Sequence, residues 1–214
     1  MSPLLAEAWA RALAELPLVA ILRGITPAEA PAVGDALWNA NWRLFEVPLN
    51  SPQPLESIAL LARRFPGAVV GAGTVRSEDE VRAVHAAGGR LIVSPHFDAR
   101  VVRAAAWSGM VCLPGVLTPS EAFAALEAGA HGLKLFPAEM IPPAAVKALR
   151  AVLPPPLPLL PVGGIAPSTM AGYLAAGASG FGIGSALYRP GTPAEEVARM
   201  ARAFADAWAG TLRA

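Results

Sequence analysis

Residues 131 to 137 read HGLKLFP and set Lys134 among Leu133, Leu135 and Phe136, in a run that otherwise looks fully buried. Only two of the 17 basic residues are lysines, Lys134 and Lys147, so arginine carries the surface charge. Lys147 lies in PPAAVKALRAV, whose helical spacing leaves it in solvent, whereas an ammonium at position 134 is costly to bury. Either the stem packs inside and the head reaches an edge or a carboxylate partner, or the burial serves chemistry. A lysine kept from water is pushed toward its neutral amine, and only that form attacks a ketone to give a Schiff base. The resulting iminium accepts electrons from an adjacent breaking carbon–carbon bond, so the cleavage does not need a metal ion. A second charge in an apolar run is Glu46, in RLFEVPL. Glu46 and Lys134 read either as a buried salt bridge or as a proton-transfer pair. In the second case the carboxylate, acting through a water, deprotonates a substrate hydroxyl and later protonates the enamine. Two glycine-rich segments, PVGGI (161 to 165) and GIGS (182 to 185), can offer backbone N–H groups to an anion, although tight turns alone also explain them.

These residues sit in or just after eight apolar runs: 16 to 22, 43 to 49, 68 to 74, 91 to 95, 111 to 115, 132 to 137, 157 to 164 and 180 to 185. Near-continuous hydrophobicity suits strands covered on both faces, as in a parallel sheet. Stretches of helical period lie between them, several opened by capping signals: TPAEA at 26, SEDE at 77, TPSEA at 118, APSTM at 166 and TPAEE at 192. The pattern predicts an α/β chain folded as a single (β/α)8 TIM barrel over residues 16–214, with an additional N-terminal helix over residues 1–15 packed on it. A doubly wound open sheet is the alternative. The proline-rich LPPPLPLLP (153 to 161) reads as a rigid turn into the seventh strand. Barrel active sites lie at the carboxyl ends of the strands. Arg23, Glu46, Thr74, Pro95, Lys134, the Gly163–Gly164 pair and the Gly184–Ser185 pair all fall at that rim. Placing the glycines after strands seven and eight, where barrels often hold phosphate, predicts a phosphorylated substrate.

With 214 residues, 54% of them hydrophobic, 15% charged and a net charge of +1, the chain can bury a large core and shows no basic surplus for nucleic acid. A charge-poor, apolar surface predicts an oligomer. The single Cys112 fits a reducing cytoplasm. The opening MSPLLAEAWARALAELP reads as an amphipathic helix, not an export signal. No uncharged run approaches the roughly 20 residues that span a bilayer. His85, His96 and His131 show no metal-ligand spacing, so no metal is expected. His96, just past the fourth strand, reads equally as a substrate contact or a solvated loop residue. Trp38, Trp42 and Trp107 read as packing or subunit-contact residues.

ILRGITP, FEVPLNSP, GAGTV, the PG at 114 to 115, LKLFPAE, PVGGI and GIGSALY follow one another in an order and spacing that resemble the pyruvate-forming 2-keto-3-deoxy-6-phosphosugar-acid aldolases, from about residue 16 onward. The resemblance implies Lys134 as the Schiff-base lysine and Glu46 as the proton-transfer residue. It further implies that Thr74 and Arg23 contact substrate, that Gly163, Gly164, Gly184 and Ser185 hold the phosphate, that no cofactor is needed, and that the chain forms a homotrimer. Asn50 and Val162 stand where relatives acting on the gluconate C4 epimer typically carry arginine and threonine. A valine cannot offer a threonine's hydroxyl to the C4 hydroxyl. The galactonate branch is therefore expected, with cleavage of 2-dehydro-3-deoxy-6-phosphogalactonate to pyruvate and glyceraldehyde 3-phosphate, although FPAE (136 to 139) looks more like the gluconate branch. The rival readings are an aldolase for the C4 epimer 2-dehydro-3-deoxy-6-phosphogluconate that also takes 4-hydroxy-2-oxoglutarate, a phosphosugar isomerase or epimerase on the same barrel, and a metabolite-binding protein without turnover.

Overall fold

A computed structural model describes residues 1–211 of the chain, so the last three residues of the expected 16–214 unit lie outside the described residues. The order is α1 (Pro3–Glu15), β1 (Leu18–Ile21), α2 (Ala30–Asn39), β2 (Leu44–Pro48), α3 (Pro54–Arg64), β3 (Val69–Gly73), α4 (Glu78–Ala86), β4 (Leu91–Val93) and α5 (Ala99–Trp107). Then follow β5 (Val111–Leu113), β6 (Gly115–Val116), α6 (Pro119–Glu127), β7 (Leu133–Leu135), α7 (Pro143–Arg150), β8 (Leu159–Pro161), α8 (Pro167–Ala175), β9 (Phe181–Ile183) and α9 (Ala194–Thr211). A 3-10 turn, Ala138–Met140, separates β7 from α7. Every strand pairing is parallel.

Each of the eight apolar runs holds a strand, and the fifth holds β5 and the first residue of β6. Pro114 has no N–H to donate, so the run breaks there: β5 pairs with β4, and β6 pairs with β7. The ladders therefore form two curled sheets in place of the single expected ring, one ordered β5-β4-β3-β2-β1-β9 and the other β6-β7-β8. Pro161, also without an N–H, ends β8, and a single parallel bridge, Val162 to Gly182, links the second sheet to β9. The chain running through Pro114 joins the sheets at their other border.

Alternation along the strands sorts the core into two clusters. Val19, Leu44, Val69, Leu91, Val111 and Leu160 form an inner cluster with Leu5, Trp9 and Ala12 of α1. Because several of these are the first residues of their strands, α1 lies across the amino ends of the sheet. The alternate residues Leu18, Phe45, Val70, Ile92, Cys112, Leu133 and Phe181 pack outward against the helices. Ser77 and Thr118 form the expected capping boxes with Glu80 and Glu121. At the TPAEA signal Glu29 accepts from Thr26 N and Oγ1, at 2.9 and 2.6 Å, yet α2 starts only at Ala30. Arg150 fixes the proline-rich turn by donating to the carbonyls of Pro154, Pro155 and Leu157. Among the described residues no helix is long and apolar enough to cross a membrane.

Candidate active site

Lys134 sits in the middle of β7, in register with Gly115 on one side and Leu160 on the other. Leu133 and Leu135 turn outward into the helix layer, so alternation sends the lysine inward, where it is 6% exposed. Glu46 of β2, 1% exposed, is paired with Ile21 and Gly71 and points to the same interior. Small residues make this level habitable. A Cβ on Gly73 would stand 1.6 Å from Glu46 Oε1, so only glycine leaves the carboxylate its place. Lys134 Nζ lies 4.4 Å from the centre of the Phe136 ring. Lys147 is exposed on α7, so the two lysines occupy opposite environments.

The two buried groups do not form an ion pair, and among the described residues Glu46 Oε2 has no hydrogen-bond partner. The salt-bridge reading is therefore not what the geometry holds. Desolvation lowers the Lys134 pKa, further helped by the Arg23 charge and opposed by Glu46. Desolvation likewise raises the Glu46 pKa, against the pull of Lys134 and Arg23. Both groups are thus driven toward their neutral forms by the same cause. An unsatisfied carboxyl beside a deprotonatable amine is expensive structure, and such arrangements mark sites that use them. Both side chains line a void of about 10 Å³ walled by Val19, Ile21, Val93, Leu113, Leu160 and Val162, room for roughly one water.

Above this floor opens a cleft of about 380 Å³, bordered by Lys134, Arg23, Phe136, Val162, the Gly163–Gly164 turn and the Gly184–Ser185 turn. Gly163 and Gly164 hold φ of +117° and +62°, the left-handed region that side chains rarely adopt. Helix α8 starts three residues beyond Gly164, and a Cβ on Gly184 would meet nothing within 4 Å, so the Gly184–Ser185 turn leaves its backbone open to the cleft. The loops after β1 and β2 hold the opposite wall. Arg23 donates to Asn50 Oδ1 at 2.7 Å, and Gly24 N donates to Ser51 Oγ at 2.9 Å. Thr74 follows Gly73 at the end of β3 with φ +60°. A β-branched residue there is strained by about 1–3 kcal/mol, a conformation that clusters at ligand sites. Of the predicted residues, Lys134, Arg23, Val162, Gly163, Gly164, Gly184 and Ser185 share the cleft, and Glu46 lies beneath it. Thr74 stands at the neighbouring strand end without lining it, and His96 is exposed outside it.

The residues matched by the KDPG and KHG aldolase model run from 10 to 202. The chain belongs to the KDPG and KHG aldolase family. It is an aldolase, a lyase. It is 47% identical to the Rhizobium meliloti (strain 1021) protein named "Probable 2-dehydro-3-deoxy-6-phosphogalactonate aldolase", over 91% of this chain and 92% of the relative. The Escherichia coli (strain K12) 2-dehydro-3-deoxy-6-phosphogalactonate aldolase is 45% identical over 91% and 95% of the two chains. The solved structure titled "Native KDPGal structure" superposes with a TM-score of 0.92 at 44% identity, covering 94% of this chain and 98% of that one.

Several residues at this aldolase's cleft were not legible as site residues. Asn50 marks a branch in the sequence, but its grip on Arg23 needs the two loops side by side. Gly73 looks like an ordinary strand glycine until the Glu46 carboxylate is seen against it. Glu139, visible in the sequence only as part of FPAE, lines the cleft against the Gly163–Gly164 turn. Cys112 is buried, its thiol pushed up to about 12 by desolvation, so it is no nucleophile. His131 Nδ1 accepts from Cys112 N at 3.3 Å, a structural bond. Trp42 is buried with its indole N–H donating to Ala201 O, and Trp38 stacks on Phe65, whereas Trp107 is 94% exposed. Among the described residues no group of three or more His, Cys, Asp or Glu is placed to hold a metal ion.

Proposed function

We propose that this aldolase cleaves 2-dehydro-3-deoxy-6-phosphogalactonate to pyruvate and glyceraldehyde 3-phosphate through a Schiff base on Lys134. The observation that carries the reading is a buried amine and a buried, unpartnered carboxyl beneath a cleft edged by two glycine turns. The neutral Lys134 amine adds to the C2 ketone, and Glu46, kept protonated by burial, gives its proton to the departing hydroxyl, so that loss of water leaves the iminium and a Glu46 carboxylate. Glu46 accepts the C4 hydroxyl proton, directly or through a water in the small void, as the C3–C4 bond breaks. The bonding pair moves into the iminium to give an enamine, and the aldehyde departs. Glu46 returns the proton to C3, and water then hydrolyses the iminium to release pyruvate and the free amine.

The Gly163–Gly164 and Gly184–Ser185 turns, with the amino end of α8 behind them, suit the phosphate. Arg23, on the cleft wall, suits an anion at the rim, and Thr74, at the strand end beside the cleft, is assigned to the pyruvate end on the family resemblance alone. Two features favour the galactonate epimer: Val162 presents no hydroxyl to C4, and Asn50 ties Arg23 at the place where gluconate-acting relatives typically have a second arginine. The Rhizobium meliloti and Escherichia coli relatives carry that substrate in their names. We expect kcat/KM for the galactonate epimer to exceed that for the gluconate epimer by at least about tenfold, the worth of one net hydrogen bond of roughly 1.4 kcal/mol. Parallel pyruvate-release assays on the two C4 epimers check this, and equal values overturn it.

We also infer that the two parallel sheets act as one (β/α)8 barrel, supported by the Val162–Gly182 bridge and the unbroken chain from β5 to β6. We infer a homotrimer in the cytoplasm, where the lone buried thiol is at home. Leu117, Phe123, Met140 and Val152 are large, exposed and grouped around one groove beside α6 and α7, a face suited to a second copy. Light scattering at three chain masses is the expected result, and a monomer at micromolar concentration overturns it.

A further inference from the structure

The cleft contains a carboxylate that the proposed reaction does not use. Glu139, in the 3-10 turn after β7, places Oε2 2.3 Å from where a Gly163 Cβ would stand and Oε1 3.3 Å from that of Gly164. It therefore rests directly on the turn that suits the substrate phosphate. Among the described residues it has no ion-pair partner and no side-chain hydrogen bond, and it is exposed. Its field reaches Tyr173, whose hydroxyl donates to Ala138 O at 3.1 Å and whose pKa is raised by desolvation first and Glu139 second.

A negative group with no cation to neutralise it, resting on an anion-binding turn, opposes a dianion arriving there. The glycines and the α8 amino end attract phosphate, and Glu139 subtracts from that attraction. We propose that Glu139 is a specificity-determining residue that weakens the grip on the substrate and product phosphate, and so sets how strongly this aldolase prefers phosphorylated over unphosphorylated 2-keto-3-deoxy acids. The proposal rests on the phosphate reading of the two glycine turns. Its consequence is a gain of affinity when a cleft side chain is neutralised. A carboxylate that instead accepted a hydrogen bond from a substrate hydroxyl would give the opposite sign.

The test measures inhibition of pyruvate release by inorganic phosphate, and the ratio of kcat/KM for phosphorylated over unphosphorylated substrate, in the unsubstituted enzyme, Glu139→Gln and Glu139→Ala. Both variants are expected to lower the phosphate inhibition constant by about three- to tenfold and to raise the substrate ratio by a similar factor. The difference is expected to shrink as ionic strength rises from about 0.01 to 0.15 M, since exposed charges are screened over that range. Unchanged or weaker phosphate inhibition in both variants, with the unsubstituted enzyme still inhibited, overturns the role of Glu139 alone. An unsubstituted enzyme that neither prefers phosphorylated substrate nor responds to phosphate overturns the phosphate reading and the proposal with it.

Discussion

Lys134→Met abolishes pyruvate release, with a loss of at least about a thousandfold in kcat, because no other group in the cleft can form an imine. Lys134→Arg behaves alike, since a guanidinium stays charged at every working pH. Only two lysines are present, so the covalent step can be read at one residue. With pyruvate and borohydride, peptide mapping finds the reduced adduct on Lys134, none on Lys147, and none in Lys134→Met. Adduct on Lys147, or none in the unsubstituted enzyme, ends the Schiff-base reading. The pH dependence has a definite sign. Desolvation lowers the Lys134 pKa below the ordinary 10.5, so the trapping rate rises with pH through an apparent pKa below that value.

Loss of activity by unfolding is separable from loss of the amine. Between the lowered folded pKa and the unfolded value, the unfolded chain binds more protons than the native one, so Lys134 makes stability rise with pH over that window. Below it, folding must carry a buried ammonium at a cost. Lys134→Met, apolar and close in volume, is therefore expected to hold or raise the Tm at neutral pH while activity vanishes. A lowered Tm would mean that the lysine is kept for packing or pairing.

The strand positions and the helix that flanks them were readable because each rests on local chemistry. Apolar runs of five to eight residues between capped helical stretches leave few alternatives, and Ser77 and Thr118 form the boxes their spacing announces. Lys134 and Glu46 stood out for the same reason: a charge within an apolar run is visible without neighbours. What was not readable depends on two segments meeting. The split at Pro114 changes which strand each half of the run pairs with, a property of the ladder and not of the run. The hold of Asn50 on Arg23 joins residues 27 apart, and Glu139 meets the Gly163 turn only because β7 and β8 are neighbours. Glycines gave the weakest signal, since the need for a missing Cβ lies in whatever stands opposite.

Glu46→Gln is expected to lower kcat by about a hundred- to ten-thousandfold, the usual worth of a placed acid–base group, while leaving Lys134 able to trap pyruvate. The amide keeps the volume and cannot carry the proton, so carbon–carbon cleavage and enamine protonation suffer and imine formation suffers less. Exchange of the pyruvate methyl hydrogens in deuterated water isolates that step, and Glu46→Gln should slow exchange in parallel with cleavage. Gly73→Ala supplies the geometric counterpart. The new methyl would stand 1.6 Å from the Glu46 Oε1 position, closer than any real contact, so the carboxyl must leave its place although its chemistry is intact. Cleavage and methyl exchange should therefore fall together in Gly73→Ala as they do in Glu46→Gln. If Gly73→Ala folds with an unchanged exchange rate, the position of Glu46 does not govern the proton, and the transfer must be reassigned to another group at the rim.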